Sequence, residues 1–186
     1  RLGLPAALLT KVGDDEGGTY YREALAAAGV DESAFKISSD VPTGSCIALV
    51  TPDSERTMRT YLGASATMTP GDVAVSDFEG CSHAHIEGYL LFNEDLINHV
   101  LRCARDAGCT IAIDLAAPEV VQANVQILPA LLDEFVDIVL ANEEEAAAFA
   151  GRRDERYALG ALARHCDTAV VKLGARGALV QVHNKV

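Results

Sequence analysis

Asn142-Glu-Glu-Glu145 follows the apolar run Val136-Asp-Ile-Val-Leu-Ala and opens a helical pattern, so an amide and a carboxylate stand three residues apart at a helix start. That spacing is a capping box: the Asn side chain accepts from an early helix N–H and the Glu reaches back to the Asn amide. The same pair at a helix N-terminus can also order Mg²⁺ and a phosphate, and the two roles are compatible. Lys172-Leu-Gly-Ala-Arg-Gly177 sets Gly174 and Gly177 after a second apolar run. The glycines allow a tight turn with positive φ, and they let backbone approach a nucleotide closely. This is not a Walker loop, because the residue order differs and no helix follows.

His83, His85 and Glu87 alternate along a strand and share one face. Two histidines and a carboxylate are zinc-ligand types, but a flat strand spreads them over about 13 Å. Glu87, at the strand end, reads better as a carboxylate that binds a hydroxyl. Asp114 ends another apolar run and can cap or pair locally. Asp14-Asp15, ahead of Glu16, reads as a helix N-cap. Arg56, in Thr51-Pro-Asp-Ser-Glu-Arg, reads as a solvated turn charge.

These residues must be held by a scaffold, and the pattern supplies one. A helix is predicted from Glu16 to Ala28, ended by Gly29, after a loop and buried strand over the first residues. Two-residue periodicity over Ser45 to Val50 and Thr57 to Leu62 predicts a hairpin. Then come a strand near Ser82 to Glu87 and a helix over Asn93 to Ala107, with Leu96, Val100, Cys103 and Ala107 on one stripe and Gly108 beyond. Strand Ile111 to Asp114, helix Asn124 to Phe135, strand Asp137 to Ala141, helices from Glu143 and over Arg156 to His165, and a final strand pair about the glycine turn complete the order. Alternating strands and helices imply an α/β fold with a mostly parallel sheet covered on both faces. Glu87, Asp114, Asn142 and Lys172 then fall at the carboxyl ends of strands, where open sheets bind ligands. The chain reads as one domain over residues 1–186, with the hairpin region, about 40–64, as an insert.

Composition narrows the partners. The 186 residues are 49% apolar and carry 27 acidic against 15 basic side chains, a net charge of −12. Such a chain can bury roughly 70% of its unfolded surface without disulfides. Its charge argues against nucleic acid and anionic membrane, which need clustered Lys and Arg, yet a small phosphorylated ligand held by amides and Mg²⁺ remains compatible. No apolar run nears the roughly 20 residues of a membrane span. The five cysteines, Cys46, Cys81, Cys103, Cys109 and Cys166, form no Cys-x-x-Cys pair. Cys103 and Cys109 read as small core residues. With no charged-then-apolar leader before Leu2, a cytoplasmic protein is expected.

In this order the residues resemble the phosphofructokinase-B, or ribokinase-like, carbohydrate kinases, particularly the adenosine-kinase-like branch. The likeness spans essentially the whole chain. It rests on Val12-Gly-Asp-Asp with Gly17, Gly29-Val-Asp, Pro42-Thr-Gly, Glu55-Arg-Thr-Met with Leu62-Gly-Ala, Glu87-Gly-Tyr-Leu, Asn142-Glu-Glu-Glu-Ala and Lys172-Leu-Gly-Ala-Arg-Gly. It implies ATP-dependent phosphoryl transfer to a hydroxymethyl oxygen of a nucleoside or sugar. A sugar-acid or ketohexose kinase, or a non-catalytic nucleotide- or sugar-binding protein of the same fold, is the alternative. The resemblance makes Asn142 and Glu145 the pair that orders Mg²⁺ and the nucleotide phosphates, Glu145 acting on the metal indirectly. It makes Lys172, Gly174 and Gly177 the ATP-contacting turn and Glu87 a carboxylate at the sugar edge. Thr43-Gly44 becomes the hinge into a lid, and Arg56 an arginine brought toward the phosphates.

The family's first strand, with its substrate-holding Asp and Gly-Gly, would precede Arg1, and its Gly-Ala-Gly-Asp, with the anion hole and catalytic Asp, would follow Val186. A fragment of a longer enzyme, inactive alone, is therefore expected. The hairpin is apolar on both faces, so a homodimer through it is expected as well.

Overall fold

The computed structural model describes residues 3–53 and 56–182. The chain divides into two compact units, Arg1–Asp72 and Val73–Val186. The first runs β1 (Ala6–Ala7), β2 (Lys11–Gly13), α1 (Glu16–Ala27), β3 (Val30–Asp31), β4 (Lys36–Ser38), β5 (Ser45–Val50) and β6 (Arg56–Tyr61). β1 pairs in parallel with β3, and β2 with β4. The buried strand that the first residues are expected to enter is confined to β2, where Val12 and Gly13 are buried, whereas Ala6 and Ala7 of β1 are exposed. Asp15 caps α1 as the Asp14-Asp15 pair predicts, and Gly29, at φ 78°, follows its end. Lys11 Nζ reaches Asp72 at 3.0 Å and ties β2 to the end of the unit.

β5 and β6 form the predicted hairpin, with antiparallel register from Ser45 opposite Tyr61 to Val50 opposite Arg56. The pairing puts Ile47, Leu49, Arg59 and Tyr61 on one face and Cys46, Ala48, Arg56 and Met58 on the other. Every residue of both strands is exposed. Ser54 and Glu55 lie outside the described residues.

The second unit runs β7 (His83–Glu87), α2 (Glu94–Asp106), β8 (Thr110–Asp114), α3 (Pro118–Ala123), α4 (Leu128–Phe135), β9 (Ile138–Asn142), α5 (Glu143–Ala150), α6 (Glu155–Leu162), β10 (Thr168–Lys172) and β11 (Ala178–Val182). The sheet order is β11-β10-β9-β8-β7, parallel except for the β10–β11 pair. The mostly parallel α/β sheet is therefore as expected. Each crossover steps to the next strand in one direction, and right-handed crossovers of that kind put every helix on the same face. Burial agrees: Ile111, Ile113, Val139, Ala141, Ala169 and Val171 are fully buried, while the alternate residues of the same strands are half-exposed. Within the second unit the described helices thus cover one face of the sheet.

α2 follows its predicted stripe, with Ile97, Leu101 and Ala104 broadening it and the Asn93 side chain accepting from Leu96 N at 3.1 Å. One helix expected over Asn124 to Phe135 is instead a turn followed by α4. Pro129 lacks the N–H for an interior position but suits a first turn, so the helix restarts beside it. Cys103, Cys109 and Cys166 are core residues, and burial pushes the Cys166 thiol up to about 11. No helix among the described residues is long and apolar enough to cross a membrane.

Candidate active site

Asn142 ends β9 and begins α5, and the predicted capping box is fully formed. Its Oδ1 accepts from Glu144 N at 3.0 Å and Glu145 N at 2.8 Å. Glu145 Oε2 accepts from Asn142 N at 2.7 Å, and Oε1 from Asn142 Nδ2 at 2.6 Å. Glu145 is 2% exposed, the one buried charged side chain among the described residues. Burial pushes its carboxyl up, the Asn142 N–H opposes that, and nearby Asp114 adds to the rise. Each of its oxygens thus accepts one hydrogen bond from Asn142, which fixes the carboxylate against the start of α5.

Lys172 ends β10 in register with Asn142, and its Nζ donates to Asp114 Oδ2 at 2.5 Å. Asp114 ends β8 opposite Glu87 of β7, and its Oδ1 accepts from Ala116 N at 3.2 Å. Glu87, Asp114, Asn142 and Lys172 all fall on the less buried parity of their strands, so they share the open face at the carboxyl ends. That is the rim expected from the strand-end positions. Ala116, at φ 66°, is the one described non-glycine residue in the left-handed region, directly beyond Asp114.

The glycine turn closes with Leu173 N donating to Gly177 O at 2.8 Å. Gly174 at φ 57° and Gly177 at φ 90° adopt the conformations their spacing implies. Arg176, for which the sequence indicated no role, donates from Nη2 to Glu143 and, at 2.6 Å, to Glu155 Oε1. It joins the turn to the first residues of α5 and α6 and holds the Glu155 carboxyl low. No local signal marked it, since Glu143 and Glu155 lie 33 and 21 residues away in sequence. A cavity of about 600 Å³ opens here, lined by Asn142, Glu144, Arg153, Asp154, Lys172 and Gly174.

His83, His85 and Glu87 share one face of β7, with His83 Nδ1 bonded to Ser82 Oγ at 2.9 Å. Among the described residues no group of three or more His, Cys, Asp or Glu side chains is placed to hold a metal ion. The other site candidates belong to the first unit. Thr43 and Gly44 sit at the root of the hairpin, and Arg56 lies opposite Val50 at its far end, roughly 17 Å along the ladder from Ser45.

Parallel strands with polar carboxyl ends, linked by returning helices, define an open α/β protein with its ligand edge at those ends. The chain belongs to the pfkB family carbohydrate kinases, whose family model matches residues 1–186. It is similar to aminoimidazole riboside kinase from Salmonella typhimurium, 27% identical over 97% of this chain and 59% of that protein. It is 31% identical to adenosine kinase from Dictyostelium discoideum, over 76% of this chain and 42% of the relative. The crystal structure of adenosine kinase from Sinorhizobium meliloti matches with a TM-score of 0.87 at 33% identity, covering 97% of this chain and 57% of that one. The chain spans about half the length of the curated relatives it matches.

Proposed function

We propose that the full-length protein transfers a phosphoryl group from ATP to a hydroxymethyl oxygen of a nucleoside or sugar. The observation that carries this reading is the convergence of Asn142, Lys172 and the Gly174 turn on one cavity of about 600 Å³ at the strand ends. That size is ordinary for a small-molecule site. The residues fit a magnesium-bound triphosphate: an ammonium to meet phosphate, a glycine backbone that permits close approach, and carboxylates at the rim that favour a cation. ATP with Mg²⁺ would supply a transferable phosphoryl group whose charge is partly neutralised.

In this reading Lys172 exchanges Asp114 for phosphate oxygens, a charge-assisted contact. Gly174 and Gly177 bring the turn's backbone to the nucleotide. Asn142 presents its amide at the start of α5, and Glu145 orients that amide, touching the metal only indirectly. Glu87 and Asp114 bind acceptor hydroxyls at the neighbouring strand ends. Thr43 and Gly44 form the hinge of a lid made by the hairpin, with Arg56 at its far end. None of the described residues is assigned as the base that deprotonates the acceptor.

Lys172→Met in the full-length protein tests the nucleotide side. It should raise the KM for ATP at least about tenfold, because phosphoryl transfer depends on positioning and charge stabilisation. An unchanged ATP KM in a folded variant rules the assignment out. Assaying the wild type against nucleosides, pentoses and sugar acids separates the nucleoside reading from the sugar-acid one.

The exposed apolar residues Ile47, Leu49, Val50 and Met58 support a homodimer through the hairpin, since a two-stranded ribbon is marginal without cover. Sedimentation of the full-length protein should give twice the monomer mass. A monomer at micromolar concentration refutes the dimer.

A further inference from the structure

Asp15 does more than cap α1. Its Oδ1 accepts from Gly18 N at 2.8 Å and from Thr43 Oγ1 at 2.6 Å, and its Oδ2 accepts from Thr43 N at 2.8 Å. Thr43 Oγ1 in turn accepts from Gly13 N at 2.9 Å. One carboxylate therefore ties the end of β2, the first turn of α1 and the residue that leads into β5. Hydrogen bonds, those from Thr43 foremost, hold its carboxyl below the usual range.

The other root of the hairpin returns to the same place. Ala64 N donates to Pro42 O at 2.8 Å. A Cβ on Gly44 would lie 2.5 Å from Leu62 O, and one on Gly63 would lie 2.4 Å from Pro42 O. These glycines let the two roots approach closely, backbone against backbone. Beyond them both strands are exposed along their whole length. The direction of the hairpin is consequently set at its base.

We propose that Asp15 is a positioning residue for the hairpin, its bonds to Thr43 fixing the direction in which β5 and β6 leave the first unit. The consequence for catalysis rests on the lid reading given above; the clamp itself does not. Asp15 acts through Thr43, and its role is geometric.

Asp15→Asn in the full-length protein separates this role from simple capping. The Asn oxygen can still accept from Gly18 N, but its amide hydrogens would face the Thr43 N–H, donor against donor. Hydrogen exchange at residues 45–50 and 56–61 should speed up at least about tenfold while α1 keeps its protection. Thr43→Val leaves the cap untouched and should act in the same direction, whereas Thr43→Ser should exchange like the wild type. Unchanged hairpin exchange in both Asp15→Asn and Thr43→Val, or a rise confined to α1, overturns the proposal. In assays of phosphoryl transfer Asp15→Asn should raise the acceptor KM more than it lowers kcat; an unchanged acceptor KM removes the catalytic consequence. A wild-type protein without phosphoryl transfer would count against the functional reading, and the exchange data would still decide the clamp.

Discussion

Glu145 and Asp15 are both carboxylates at helix starts, and their surroundings drive their titrations apart. Glu145 is buried, so its folded pKa lies above the ordinary 4.5. Its contribution to stability is then greatest below that value and declines as pH rises through the folded pKa, because ionisation is harder in the fold than in the open chain. Asp15 accepts three hydrogen bonds and its folded pKa lies below 3.8. Its contribution is present above 3.8 and is lost as pH falls through the folded value. Urea unfolding across pH should therefore show Glu145→Gln flattening the decline above about 4.5, while Asp15→Asn flattens the loss in acid. Wild-type slopes retained in both variants would contradict these environments.

Helices carry a second contrast, between Gly18 in α1 and Gly160 in α6. Replacing glycine by alanine inside a helix ordinarily stabilises it by roughly 0.5–1 kcal/mol. Gly160 has nothing within 4 Å of an added Cβ, so Gly160→Ala should gain about that much. A Cβ on Gly18 would fall 2.2 Å from Gly13 O, where α1 packs on β2. Gly18→Ala should then cost stability by about 1–3 kcal/mol, the range of overpacking. Equal shifts of the urea midpoint in the two variants would show that the α1–β2 approach is looser than described. The Pro129 break between α3 and α4 follows the same logic, since backbone chemistry at one residue divides an otherwise continuous apolar pattern.

The second unit as a whole is organised by handedness. Because each crossover steps the same way across the sheet, its helices gather on one face, and Glu87, Asp114, Asn142 and Lys172 take the other parity at the strand ends. Val139 is fully buried beneath the helices, whereas Val180, on β11, is 57% exposed. Val139→Ala should lower stability by about 2 kcal/mol and Val180→Ala by no more than about 0.5 kcal/mol. Comparable losses at the two positions would mean that the open face is covered in solution.

Whatever depends on a short contiguous stretch could be read from residue order alone. The capping box at Asn142 and Glu145, the glycine turn after Lys172, the hairpin and most helix limits are of this kind. Each arises from local hydrogen bonding or from the period of apolar side chains. The strand-end rim was also legible, since a parallel sheet aligns its carboxyl ends whatever its order. The pairings that shape the site were not. Lys172 meets Asp114 across 58 residues, Arg176 meets Glu143 across 33, and Asp15 meets Thr43 across 28. No local pattern encodes such partners, because each contact exists only once distant backbone segments have been packed and their register set. The open sheet face has the same origin: alternation marks two faces on every strand, but strand order and crossover hand decide which one the helices cover.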